Sequence, residues 1–170
     1  MPKIIVITGP CGAGKTTIAK LVTSKLHIPH LQGDEVKEEL FPGLIDISKH
    51  PHELSVVKTE LLNRAKKLFH GGKSIVVDYM VIGEYIKEYK NEFGSDLILK
   101  VLLPPLEVIA HRDMHRDCWT AGKEHIEELY KEFRRDESTI GIENYIDNSS
   151  ESAEQTADRL LLSLPMDTNS

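Results

Sequence analysis

Three features of the chain predict an α/β fold. Five short apolar runs, Ile4 to Ile7, His27 to Gln32, Ser74 to Val77, Leu97 to Leu103 and Asn144 to Asp147, alternate with stretches of helical periodicity, as strands connected through helices do. The first run leads into a glycine-rich turn and then a helical stripe of Ile18, Leu21, Val22 and Leu26. At 170 residues the chain is long enough for one such domain with a real core and too short for a second catalytic module. A single domain over residues 1–165, with a polar tail at 166–170, is expected; no internal repeat or low-complexity linker interrupts it.

The turn, Gly9-Pro10-Cys11-Gly12-Ala13-Gly14-Lys15-Thr16, carries the strongest chemical signal. Glycines at 9, 12 and 14 let the backbone curl with no Cβ in the way, so successive N–H groups converge on phosphate oxygens. The helix that follows adds its free first-turn N–H donors and the positive end of its dipole. Lys15 supplies a point charge for the β- and γ-phosphates, and the Thr16 hydroxyl is placed to ligate Mg²⁺. Gly9, Gly12, Ala13, Gly14, Lys15, Thr16 and Thr17 are therefore the expected nucleotide-binding residues.

Acidic residues outnumber basic ones by 27 to 21, the opposite of a general nucleic-acid footprint, which favours small substrates. Met1-Pro2-Lys3 enters the first strand without a signal or transit pattern, and no apolar run reaches membrane-spanning length. A cytoplasmic location and no membrane partner are expected, with Cys11 and Cys118 as reduced thiols.

Gly33-Asp34 closes the second strand ahead of the helical run Glu35 to Leu40. Asp34 then falls on the carboxyl edge of the sheet, where open parallel sheets bind ligands, and suits receiving a proton or a hydrogen bond from a substrate hydroxyl; aspartate is equally a favoured helix N-cap. Pro51 opens a longer helix with Leu54, Val57, Leu61, Ala65 and Leu68 inward, and His50 and His52 beside it read as solvated loop side chains. Ser74 to Val77 closes on Asp78, the second nucleotide-site signature, whose carboxylate holds Mg²⁺ directly or through its water. Tyr85, Ile86, Tyr89 and Phe93 at helical spacing read as core. Lys100 interrupts the fourth apolar run, so one face or end of that strand is expected to reach solvent.

After Leu106 an apolar patch gives way to His111-Arg112-Asp113-Met114-His115-Arg116-Asp117. Arg112 and Arg116 stand four apart on one helix face, where a mobile hairpin would bring both guanidiniums over the transferring phosphoryl group. The competing reading is an exposed helix whose arginines pair with Asp113 and Asp117. His111 and His115 share zinc-ligand spacing, but the charges around them fit a lid better. A helix from Lys123 through Ile126, Leu129, Tyr130 and Phe133 is expected to run to near Gly141. The turn at Asp147-Asn148-Ser149-Ser150 either lies beside the nucleotide base or simply leads into a last helix, opened by the capping box of Ser152 and Gln155.

In order and spacing, Gly9 to Thr16, Gly33-Asp34, Val76-Val77-Asp78-Tyr79, the Arg112/Arg116 segment and the Asp147-Asn148-Ser149 turn resemble the small P-loop kinases: gluconate and shikimate kinases, chloramphenicol phosphotransferase, adenylylsulfate kinase and, more distantly, adenylate kinase. The resemblance spans nearly the whole chain. It implies a three-layer P-loop NTPase fold, a five-stranded parallel sheet flanked by helices, with a helical lid over roughly 111–125. It also implies transfer of the γ-phosphoryl group of ATP, with Mg²⁺ held by Thr16 and Asp78, to a small-molecule hydroxyl acceptor. Lys15, Asp34, Arg112 and Arg116 form the implied catalytic set, Asp34 as substrate-binding base and the arginines as lid cations. A monomer or homodimer is expected. Lys37 stands where many relatives carry an arginine, a point charge in place of a fork, so the acceptor is left open. Gly33-Asp34 with a following cation also suits nucleoside, nucleotide or polynucleotide 5′-hydroxyl kinases. A regulatory nucleotide switch has less behind it, because the chain has no Asn-Lys-x-Asp motif and no Asp-x-x-Gly after Asp78.

Overall fold

The computed structural model of the chain describes residues 1–115 and 120–165. In chain order its elements are β1 (Ile4–Thr8), α1 (Lys15–Leu26), β2 (His30–Gln32), α2 (Gly33–Leu40), α3 (Pro51–His70), β3 (Ile75–Asp78), α4 (Glu84–Phe93), β4 (Leu97–Leu102), α5 (Leu106–Met114), α6 (Lys123–Arg135), α7 (Glu137–Ile140), β5 (Tyr145–Ile146) and α8 (Ala153–Leu162). The strands form one parallel sheet in the order β2-β3-β1-β4-β5.

The central position of β1 follows from its composition. All five of its residues are buried, as a strand covered on both faces by helices must be, and Ile4 lies opposite Ile75 on one side and Leu97 on the other. Side-chain alternation then divides the core in two. Ile5 and Ile7 join Ile18, Ala19 and Val22 of α1 and Ala157 and Leu160 of α8. Ile4 and Val6 join a larger cluster with Val57 and Leu61 of α3, Tyr89 of α4, Ile109 of α5 and Phe133 of α6. The expected stripe Tyr85, Ile86, Tyr89 and Phe93 is buried, with Tyr85 and Tyr89 packed edge to face at 5.0 Å. Pro51 occupies the first turn of α3, and the Ser152/Gln155 capping box is formed. No helix among the described residues is long and apolar enough to cross a membrane.

Four expectations need correction. The second strand does not begin at His27, because that residue adopts a left-handed conformation (φ 54°) and caps α1 through its N–H to the Thr23 carbonyl. Asp34 is not a helix N-cap: α2 starts at Gly33, so Asp34 lies in its first turn. Lys100 does not mark a solvent face; it is 7% exposed, with its stem along the sheet and its Nζ donating to Asn144 Oδ1 at 3.0 Å. The helix from Lys123 breaks at Asp136, whose carboxylate accepts the Gly83 N–H at 2.9 Å, and a separate short turn, α7, continues to Ile140.

Candidate functional site

The strand order reverses direction at β1. From β1 the chain crosses to the edge strand β2, returns to β3 beside β1, and then passes to the other side for β4 and β5, and a crevice opens at the carboxyl end of such a switch point. The glycine turn sits there under tight constraint. Gly9 has φ 148°, and a Cβ on it would lie 2.4 Å from the Leu102 carbonyl oxygen; one on Gly12 (φ 83°) would lie 2.9 Å from that of Ile109. The loop is thus pressed beneath the end of β4 and under α5. Lys15 Nζ folds back to donate to the Pro10 carbonyl at 3.0 Å.

Above the loop lies a cavity of about 300 Å³. It is lined by the loop residues Cys11, Gly12, Gly14, Lys15, Thr16 and Thr17 together with Asp34, Asp78, Tyr79, Met80 and Arg112. Gly9 and Ala13, expected among the binding residues, shape the loop from behind and do not line the cavity; Ala13 is fully buried. Asp78 is 3% exposed and its Oδ2 has no hydrogen-bond partner, nor has His30 Nε2, 3.6 Å away. A buried carboxylate oxygen left without a donor is costly, and a cation is one thing that would satisfy it. With the Thr16 hydroxyl and the N–H cradle in the same cavity, the residues fit a Mg²⁺-bound triphosphate.

The remaining wall depends on one close approach. A Cβ on Gly33 would meet three atoms of the Tyr79 ring at 2.0 to 2.7 Å, so only glycine lets β2 turn into α2 over that ring and carry Asp34 to the cavity. Burial, reinforced by the Asp34 carboxylate and then Cys11, pushes the Tyr79 phenol well above its ordinary pKa and keeps it protonated.

Arg112 reaches the cavity from α5 and is held in place. Its guanidinium donates to the Asn148 carbonyl at 3.1 Å and to Asn148 Oδ1 at 3.4 Å, while Asn148 Nδ2 donates to the carbonyl of Ala13 at 3.0 Å. The turn after β5 is therefore a strut between the glycine loop and the arginine, more than a lead-in to α8. Asp113, expected as a surface ion-pair partner in the competing reading, is instead 1% exposed and accepts the N–H groups of Ala121 and Gly122, both at 3.2 Å. His111 and His115 stack at 4.2 Å, with His115 Nδ1 2.7 Å from the His111 carbonyl oxygen. Arg116 and Cys118 lie outside the described residues. Lys37 does not line the cavity; its Nζ donates to the Leu44 carbonyl at 2.6 Å.

The sequence model of the AAA domain family matches residues 5–117. The chain belongs to that family. Beyond this, the AAA domain is 34% identical over 113 residues to a probable adenylyl-sulfate kinase of Pyrococcus abyssi (strain GE5 / Orsay), covering 63% of each protein. It thus spans under two thirds of that relative's length. A probable adenylyl-sulfate kinase of Archaeoglobus fulgidus is 31% identical over 120 residues, 66% of this chain and 74% of the relative. A shikimate kinase from Acinetobacter baumannii, solved in complex with shikimate, superposes with a TM-score of 0.71 at 20% identity, over 95% of this chain and 92% of that one. The five-stranded parallel α/β architecture is shared with it.

Three features of the AAA domain's site were not evident in its sequence. His30 faces Asp78 only because β2 pairs with β3 with Gln32 opposite Asp78, a register that no local spacing encodes. Met80 follows a recognisable strand end but carries no motif. Asn148 fell within a noted turn, yet its bond to Ala13 joins residues 135 positions apart.

Proposed function

We propose that this AAA domain is an ATP-dependent phosphotransferase that moves the γ-phosphoryl group to a hydroxyl of a small metabolite, using Mg²⁺, in the cytoplasm, as a monomer or homodimer. The observation that supports it most is the meeting in one cavity of the glycine loop, Lys15 and Thr16 with two carboxylates, Asp34 and Asp78. Adenylyl-sulfate kinase relatives and a shikimate kinase of the same fold add to it.

MgATP bound in this cavity supplies the activated phosphoryl group. The backbone N–H groups from Gly12 to Thr16 bind phosphate oxygens, and Lys15 exchanges the Pro10 carbonyl for them. The Thr16 hydroxyl and Asp78 would hold the metal ion. Asp34, in the first turn of α2, orients the acceptor hydroxyl and takes its proton. Lys15 and Arg112, with Arg116 from the lid over roughly 111–125, balance the charge of the transfer, and the lid keeps water out, since an unprotected donor would be hydrolysed. The test is ADP release against polyols, sugar acids, aminoglycosides, nucleosides and 5′-hydroxyl oligonucleotides. Stimulation by one small alcohol class supports the reading, and stimulation by oligonucleotide ends alone would replace it with a polynucleotide kinase. If no compound stimulates, the assignment moves to a binding or regulatory ATPase.

A further inference from the structure

The order of the strands separates charge along the cavity. Lys15 follows β1 and Arg112 rides on α5 after β4, whereas Asp34 and Asp78 follow β2 and β3 on the other side. Both cations therefore stand over the phosphate-binding half, where MgATP, itself negative, would engage them. With Asp78 given to the metal, the acceptor half is left with Asp34, Tyr79 and Met80, and none of these is a cation.

Further observations sharpen this asymmetry. Each nearby cation on the neighbouring helices is engaged elsewhere. Lys37 donates to Leu44, Arg64 pairs with Glu39 at 2.7 Å and Glu60 at 2.8 Å, and Lys58 lies 5.3 Å over the Tyr85 ring. An acid group is held by a forked or point cation. Among the described residues none is available at this end, and an acid placed there would face Asp34 as a like charge in a partly desolvated site.

Resting on the phosphotransfer reading above, we propose that the acceptor is an alcohol bearing no acid group, and that a protonated amine near its reacting hydroxyl improves it. The hydroxyl and the neighbouring amine both lie against Asp34, and the carbon skeleton packs on Tyr79 and Met80. Phosphoryl transfer then forms one O–P bond on the acceptor and breaks one on ATP. The hydroxyl proton passes to Asp34, and ADP leaves.

The experiment compares gluconate, glucitol and glucamine, three compounds with one carbon skeleton and a carboxylate, an alcohol or an ammonium at the same position. ADP release and MgATP binding are measured in the same samples. We expect glucamine to stimulate release most, glucitol next, and gluconate at least about tenfold less than glucamine. Gluconate matching or exceeding glucitol would overturn the inference and leave the kinase reading standing, as would a response to none of the three while MgATP still binds. Absence of MgATP binding would remove both. A second arm uses Met80→Arg, which places a cation on the acceptor wall. We expect it to raise stimulation by gluconate relative to glucamine by about tenfold; a folded variant with an unchanged ratio would show that charge does not select the acceptor.

Discussion

Gly33 has unremarkable backbone angles, and its necessity comes from the ring beneath it. A side chain there would overlap Tyr79, so Gly33→Ala is expected to destabilise the protein by about 1–3 kcal/mol, read by denaturant unfolding. In the double variant with Tyr79→Ala most of that cost should vanish, because the two residues share a single steric conflict. At neighbouring Asp34, replacement by Asn is expected to lower the catalytic rate by about 10²–10⁴-fold with ATP affinity nearly unchanged, whereas Lys15→Ala should abolish turnover. Steady-state ADP release alongside ATP titration checks both, and near-normal turnover in the Asn variant would remove the base assignment. At this scale the sequence was informative wherever chemistry is local. Lys15, Thr16 and Asp78 announce themselves by spacing to glycines or by the end of an apolar run. Gly33 does not, since its partner Tyr79 is 46 positions later and meets it only once β2 has paired with β3.

At the scale of elements, the turn between β5 and α8 does more than connect them. Removing the Asn148 side chain leaves the buried Ala13 carbonyl without its donor and Arg112 without one of its two anchors. Asn148→Ala is expected to cost about 1–3 kcal/mol of stability and also to weaken ATP binding, measured by calorimetric titration. Ser152→Ala, a few residues on, is the control: loss of the capping box should cost about 1 kcal/mol and leave nucleotide affinity alone. Element boundaries were legible where a single residue type dictates them, as with Pro51 at the start of α3, Gly94 after α4 and the capping box of α8. They were not legible at Asp136. The hydrophobic stripe of α6 runs straight toward that point, and the bond that Asp136 accepts there comes from the N–H of Gly83, 53 residues earlier.

For the whole molecule, buried phenols set the response to alkali. Burial is the first cause pushing up Tyr79, Tyr85, Tyr89 and Tyr145, the last to about 12, against an ordinary value of about 10. A raised folded value means the native state keeps protons that the unfolded chain releases. This contribution is complete below pH about 10 and is lost as pH climbs toward the folded values. Burial moves Lys58 and Lys100 the other way, which favours the fold slightly as pH approaches about 10.5. The denaturation midpoint is therefore expected to fall above pH about 10, and Tyr85→Phe should make that fall shallower. Composition alone hides this, because nothing in the count of tyrosines says which of them the two cores enclose.

The bond from Asn148 to Ala13 also sets when the glycine loop can be braced. A growing chain displays every letter of the glycine motif within a few residues, yet the donor that braces that motif is added 135 positions after Ala13. Residues 5–117, the stretch shared with the rest of the family, lack it entirely. A half-made molecule thus holds the letters of the glycine motif without their brace until the turn after β5 has been made.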